Sequence, residues 1–221
     1  MARKPRKPKT RSKAKARTKA RTKAKPDART RIIDAALGLA AGRGWRRVRL
    51  AEIAAEAGVS MAELRAHFGS KWAIVGAFVR RTDDAVLAAG AAEGSSARDR
   101  LFDVLMRRFD ALEPHRDAVN AILRDGLADP CAALCLGPRL LCSMAWMLET
   151  AGLSSAGPVG AVRVKGLTLV YLSALRVWLT DDSADLARTM ASLDKGLRRA
   201  ETLATAPCPG PGRKSKAPAK A

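Results

Sequence analysis

Apolar residues recur at intervals of three and four along most of this 221-residue chain. Runs that alternate apolar and polar residues are too short to indicate β-strands. In the helix predicted for residues 30–41, one apolar face consists of Ile33, Ala36, Leu37 and Ala40. The pattern therefore predicts an all-α fold.

Glycine, proline and polar clusters mark where the other predicted helices end. After the first helix and a pair of short helices, the spacing predicts helices at residues 71–89, 97–112, 115–126, 131–151, 160–179 and 184–204. Gly42 and Gly44 would end the first helix, and Ser70 would cap the helix predicted at residues 71–89. A stretch of Gly, Ala and Ser at residues 90–96 would divide the helices into an N-terminal and a C-terminal group.

The segment from Leu50 to Lys71 predicts two short helices joined by a tight turn and followed by the start of a third. Gly58 can adopt the left-handed backbone of a helix end, and Ser60 can cap the next helix, predicted at residues 61–68. In a helix-turn-helix unit the second helix lies in the major groove of DNA while the first crosses the backbone.

This part of the chain resembles the DNA-binding domain of the TetR family of transcriptional regulators. The residues that match the family's signature in order and spacing are Ile33, Ala35, Ala36, Gly44, Val48, Ile53, Ala54, Ala57, Gly58, Val59, Ser60, Leu64, His67, Phe68, Ser70 and Lys71. The resemblance implies an all-α, TetR-like fold, with an N-terminal three-helix helix-turn-helix domain and a C-terminal helical domain for ligand binding and dimerisation. The implied function is a ligand-responsive repressor that binds a double-stranded DNA operator as a homodimer.

The resemblance also implies which side chains contact DNA. The candidates are Arg49, Ser60, Met61, Glu63, Arg65, His67 and Lys71, with Arg49 and Lys71 on phosphates. Three residues of the reading helix depart from the family pattern, because Ala62, Glu63 and Arg65 stand where a small residue, Thr and Tyr are usual. Arg65 could bind a phosphate through a charge-assisted bond. Glu63 either accepts a hydrogen bond from a cytosine amino group or marks a helix that does not bind DNA.

Positive charge is concentrated at the two ends of the chain. Residues 1–25 contain eight Lys, five Arg and no acid, and residues 207–221 contain four more basic residues. The formal net charge of the whole chain is +20. Without large apolar residues, such segments are expected to be disordered. The predicted domains are therefore basic tails at 1–26 and 206–221, a helix-turn-helix domain at 27–90 and a regulatory and dimerisation domain at 97–205. The N-terminal tail would add sequence-independent affinity for DNA, or alternatively would only keep the protein soluble.

The last two predicted helices carry wide apolar faces. Members of the TetR family dimerise by packing two such helices from each subunit into a four-helix bundle, whereas in a monomer these faces would belong to the core. The resemblance further implies a pocket for a small apolar ligand of unknown identity. Its candidate residues are Leu140, Met144, Met147 and Tyr171, and ordinary core packing is the alternative.

A second resemblance covers residues 170–199. This segment is similar to the C-terminal region of the lipid-binding protein of coenzyme Q biosynthesis, through an apolar run ending at Trp178 and Leu179, the sequence Asp181 to Ser183, Thr189, and Leu193 with Asp194. It implies an alternative function as an isoprenoid or lipid carrier. The polar, proline-containing sequence after residue 206 does not resemble that protein's membrane-binding terminal helix.

Other kinds of chemistry have little support in the sequence. Cys131, Cys135 and Cys142 could share one helix face as buried thiols, and neither they nor Cys208 have the spacing of a zinc site. No GxSxG, HExxH or phosphate-binding loop is present, so we expect no enzyme activity, metal or cofactor. No continuous apolar run reaches the roughly 18 to 20 residues of a membrane span. We therefore expect a cytoplasmic, nucleoid-associated protein.

Overall fold

The computed structural model describes residues 27–126 and 129–205, so the basic tails and Cys208 lie outside the described residues. Within these ranges the chain forms helices and no strands, which confirms the all-α prediction. The helices are α1 (Ala28–Arg43), α2 (Leu50–Ala57), α3 (Met61–His67), α4 (Lys71–Ala88), α5 (Ala97–Leu112), α6 (Arg116–Gly126), α7 (Pro130–Thr150), α8 (Gly157–Trp178) and α9 (Ala187–Thr205). Short 3-10 turns at Trp45–Arg47 and Glu113–His115 precede α2 and α6.

Helices α1, α2 and α3 form an N-terminal unit, here called the reading head. The side chain of Asp27 accepts a hydrogen bond from the Thr30 N–H and caps α1. Gly44 ends this helix with a φ of 82°, whereas Gly42 lies inside it, in contrast to the prediction that both glycines terminate it. The core of the reading head consists of fully buried side chains from its three helices and the turn after α1: Ile32, Trp45, Ile53 and Leu64.

Helix α4 joins the reading head to the remaining helices, α5 to α9, here called the body. Ser70 caps α4 by accepting a hydrogen bond from the Ala73 N–H, as predicted. The helix packs against α1 on one side and against α5 and α7 on the other, and α6 of the body also packs against α1. A movement of α4 or α6 would therefore shift α1 and with it the reading head.

The body is built around aromatic side chains of α5 and α8. The ring of Phe109 lies 5.5 Å from Tyr171 and 5.9 Å from Trp178, and all three side chains are buried. Helix α9 then packs along α8. The apolar residues spaced along α5 and α8 are thus explained by one shared core.

A buried carboxylate organises the loop between α8 and α9. Asp181 accepts hydrogen bonds from the backbone N–H and the hydroxyl of Thr189, at 2.8 Å and 2.7 Å, and others from Ser183. Burial by itself raises the pKa of Asp181, but these hydrogen bonds outweigh it and hold the pKa well below its usual value. Because residues 181–186 form this capped loop, α9 begins at Ala187 rather than at the predicted residue 184.

The three cysteines of α7 correct a sequence-based prediction. Cys131, Cys135 and Cys142 do share one face, but Cys131 and Cys142 are exposed and Cys135 is only partly buried. The buried face of α7 instead centres on Met144, which lies roughly half a turn around the helix from the cysteines. The spacing correctly predicted that the three cysteines share one face of α7. The prediction that this face is buried was wrong.

Helices α7 and α8 are long and apolar enough to cross a membrane by length and composition, although Arg139 interrupts the apolar run of α7, and Arg163 and Lys165 interrupt that of α8. In the structure, 28% of the most apolar 18-residue segment of α7 and 33% of that of α8 are buried. Length and composition are weak evidence for a membrane span, because core helices of soluble proteins meet the same criteria.

Candidate DNA-binding interface

The backbone of the helix-turn-helix unit is fixed by two residues between α2 and α3. Gly58 ends α2 in the left-handed region, with φ 63° and ψ 44°, and the Val59 N–H then donates to the Ala54 carbonyl at 3.0 Å. The hydroxyl of Ser60 accepts a hydrogen bond from the Glu63 N–H at 3.1 Å and caps α3. Both roles were predicted from the sequence.

Helix α3 buries one face and exposes the rest. Leu64 is 1% exposed, and Phe68, which follows the last residue of α3, is 4% exposed. The remaining residues of the segment are all exposed: Ser60, Met61, Ala62, Glu63, Arg65, Ala66 and His67. The predicted contacts of this segment are therefore all accessible, together with two alanines that the sequence reasoning did not include.

The directions of these side chains follow from the position of Leu64. With about 100° between successive residues, Glu63 and Arg65 project to opposite sides of α3, about 100° from Leu64. Ala62 and Ala66 lie about 160° from Leu64 and so form the outermost line of the helix. Ser60 and His67 lie nearer the buried side of α3, and the His67 ring is 6.4 Å from that of Phe68.

Arginines line the turn that leads into α2. Arg46, Arg47 and Arg49 are exposed, and Arg49 immediately precedes α2. The Arg49 N–H donates to a carboxylate oxygen of Glu52 at 2.8 Å, which leaves the guanidinium outside the cap. Sequence reasoning selected Arg49 alone, although the run of basic residues around Val48 could have indicated Arg46 and Arg47.

Lys71 is turned toward the reading head. Its ammonium donates to the carbonyl oxygens of Trp45 and Val48 at 2.7 Å and 3.0 Å, and it lies 4.6 Å from the centre of the Trp45 ring. Burial lowers the pKa of Lys71, against the opposing effect of Asp125 and Asp129. In this position Lys71 fixes the turn before α2 to the start of α4, and the phosphate contact suggested by the resemblance stays a prediction.

Replacing Lys71 by methionine tests the internal role. We expect the free energy of unfolding to fall by about 1 to 3 kcal/mol, because two carbonyl groups lose a charged donor. The salt dependence of DNA binding should stay the same, whereas loss of a phosphate contact would reduce the slope of log K against log salt by about 1. Urea denaturation and a salt titration of binding measure the two quantities.

The comparisons with known proteins agree with this geometry. A family model described as "Bacterial regulatory proteins, tetR family" matches residues 32–78, which include most of α1, all of α2 and α3, and the first part of α4. The crystal structure of a TetR transcriptional regulator from Nitrosomonas europaea ATCC 19718 is 27% identical, with a TM-score of 0.65, and the match covers 80% of this chain and 99% of that chain. Residues 32–78 therefore form a TetR-type DNA-binding domain. The chain is a TetR-type DNA-binding transcriptional regulator.

A more distant structure shows that the fold extends through the body. A TetR transcriptional regulator from Rhodococcus sp. RHA1 is 22% identical, with a TM-score of 0.60, and the match covers 78% of this chain and 94% of that chain. No curated protein sequence matches the chain. The comparisons favour the TetR-family regulator over the lipid carrier suggested by residues 170–199.

The candidate pocket residues of this TetR-type regulator belong to its core. Met144 and Met147 are fully buried, Tyr171 is 3% exposed and Leu140 is partly buried. Tyr171 stacks on Phe109 in the aromatic core of the body. These side chains therefore pack as ordinary core residues in this structure, and a ligand pocket around them stays a prediction.

Polar contacts connect the reading head to the body near Lys71. The Arg46 N–H donates to a carboxylate oxygen of Asp125 at the end of α6, at 2.7 Å. The Trp72 indole N–H donates to Asp129 at 2.9 Å, and the same carboxylate caps α7 through the Cys131 N–H. The end of α6 is thus bonded to the turn before α2, and the start of α7 is bonded to the first turn of α4.

Proposed function

We propose that this TetR-family regulator is a ligand-responsive repressor that binds a palindromic DNA operator as a homodimer in the cytoplasm. The observation that carries the proposal is the exposed face of α3, which is held at a fixed angle by Leu64, Phe68 and the Ser60 cap. In helix-turn-helix proteins the equivalent helix enters the major groove. The exposed arginines before α2 are placed to contact the adjacent phosphates.

The surface of α8 supports a homodimer. Val159, Val162 and Leu169 are 63%, 70% and 70% exposed, and their spacing places them along one side of the helix. A continuous exposed apolar surface is typical of a protein interface. A two-fold axis through such an interface would present two copies of α3 to the two halves of a palindromic operator.

The connection between body and reading head supports a ligand response. Helices α4 and α6 both contact α1, and Asp125 and Asp129 add polar contacts at the same junction. A ligand bound in the body could therefore change the separation of the two reading heads in a dimer. It would do so only if it binds one separation more tightly than the other, because equal affinity shifts no equilibrium.

The substitution Arg65→Ala tests whether α3 binds the operator. We expect the affinity for a selected operator to fall by about 1 to 3 kcal/mol in binding free energy, because one charge-assisted contact is lost. Arg80→Ala is the matched control, since Arg80 is also an exposed helical arginine but lies on α4. Fluorescence anisotropy with operator and scrambled DNA measures both variants.

Two outcomes would contradict the proposal. If Arg65→Ala and Arg80→Ala bind the operator as tightly as the unmodified chain, α3 is not placed in the groove as proposed. If sedimentation finds only monomer at micromolar concentration, the dimer and the palindromic operator are wrong. Both measurements use the full-length chain.

A further inference from the structure

We infer that α3 selects operator half-sites by contacting the methyl groups of thymines with Ala62 and Ala66. This inference rests on the proposed function. The outermost line of α3 is formed by these two alanines, while the charged Glu63 and Arg65 flank it on opposite sides. The part of the helix that would reach deepest into the groove is therefore apolar. Thymine recognition follows from what an alanine side chain can distinguish.

An alanine methyl group neither donates nor accepts hydrogen bonds. Each base pair presents a distinct set of donors and acceptors in the major groove, and thymine alone among the unmodified bases adds a methyl group. A groove-facing alanine can thus favour one base only by packing against that methyl group. Met61, which is 50% exposed, lies only about 60° from Leu64 and is therefore not part of this outermost line.

The spacing of the two alanines suits successive contacts along a half-site. Residues four apart in a helix are separated by about 6 Å along its axis. Base pairs follow one another every 3.4 Å or so, which makes the separation close to two base-pair steps. We expect two preferred thymines in each half-site, one for each alanine.

Glu63 adds a second preference beside the thymines. Within the described residues, the Glu63 carboxylate forms no ion pair. The hydrogen bond to Ser60 comes from the Glu63 backbone N–H and does not involve the carboxylate. A free carboxylate in the major groove can accept from the amino group of cytosine. The predicted half-site therefore contains a cytosine on the Glu63 side of the thymines, with Arg65 directed to the other side.

The experiment begins with selection of an operator from random DNA by the full-length protein. Each thymine of the selected half-site is then replaced by deoxyuridine, which removes the methyl group and preserves base pairing. We expect affinity to fall about fourfold at one or two thymines, the equivalent of one buried carbon group. At the other thymines the replacement should change nothing.

Variants of the protein assign each methyl contact. In Ala66→Gly and Ala62→Gly, the thymine and deoxyuridine operators should bind equally well at the corresponding position. Because each ratio is measured on one protein, a loss of folded protein through the added glycine cancels. Ala85→Gly, at an exposed position of α4, is the matched control and should keep the fourfold ratio.

The possible results separate this inference from the proposed function. Selection of a defined operator that tolerates deoxyuridine at every thymine would overturn the methyl contacts and leave the repressor proposal standing. A fourfold loss that persists in both glycine variants would assign the methyl contact to other side chains and also overturn the inference. Failure to select any operator would overturn both proposals together.

Discussion

Replacing Arg108 by methionine is expected to lower the free energy of unfolding by about 3 to 5 kcal/mol, because it leaves a carboxylate unpaired in the core. The side chain of Arg108 is 2% exposed, and its guanidinium pairs with Asp83, whose side chain is 11% exposed. The Ser143 hydroxyl donates to the same carboxylate oxygen at 2.6 Å. The guanidinium also lies 5.2 Å from the centre of the Tyr171 ring.

This buried pair joins four helices at one point. Arg108 belongs to α5, Asp83 to α4, Ser143 to α7 and Tyr171 to α8. Since α4 carries the reading head, the pair helps to fix the position of the DNA-binding surface relative to the body. An apolar side chain at position 108 would keep part of the packing and lose the charge that holds Asp83.

Urea denaturation of two further variants separates the buried pair from a general effect of removing an arginine. Arg107 is the next residue of α5, and its pair with Asp103 is partly exposed, so Arg107→Met should cost less than about 1 kcal/mol. In the double variant with Asp83→Leu and Arg108→Met, both charges are removed and much of the lost stability should return. A double variant no more stable than Arg108→Met alone would show that the unpaired carboxylate is not the cause.

Local chemistry explains which parts of the fold the sequence predicted well. Gly58 and Ser60 act within a few residues of themselves, so the turn between α2 and α3 and the start of α3 followed from residue type. The same holds for Ser70 at the start of α4. Helical spacing likewise predicted the extents of α5 and α8 to within a few residues, because apolar periodicity depends on the helix alone.

The sequence did not determine the direction of a helix face or of a long side chain. Periodicity placed Cys131, Cys135 and Cys142 together, but only the packing of α7 against its neighbours decides that Met144 points inward. Lys71 can extend toward a phosphate or turn back to the carbonyl groups of Trp45 and Val48, and the sequence contains no local signal for the choice. Both depend on contacts between residues that are distant in the chain.

The outward position of Ala62 and Ala66 could have been predicted. The apolar residues Leu64 and Phe68 define the buried side of α3, and residues two positions away from Leu64 must then lie nearly opposite. The family pattern drew attention to the charged departures Glu63 and Arg65 instead. Position on the helix, rather than the unusual character of a residue, decides which side chain reaches the groove.

Deleting residues 2–25 is expected to flatten the salt dependence of DNA binding and to leave the preference for the operator unchanged. These residues carry thirteen positive charges and no negative charge. Each phosphate that a basic side chain neutralises contributes about 0.9 to the slope of log K against log salt. If half of the tail's charges contact DNA, the slope should fall by about 5 or 6, which is larger than the effect of any single contact in the reading head.

A version of the chain in which residues 2–25 are scrambled tests whether charge alone is responsible. It keeps the thirteen positive charges and should restore the salt dependence of the full chain, because counterion release does not depend on residue order. The ratio of affinities for operator and scrambled DNA should be the same in all three proteins, since base recognition is assigned to α3. An unchanged slope after deletion would mean that the tail keeps the protein soluble without binding DNA, and all affinity would then have to come from the reading head.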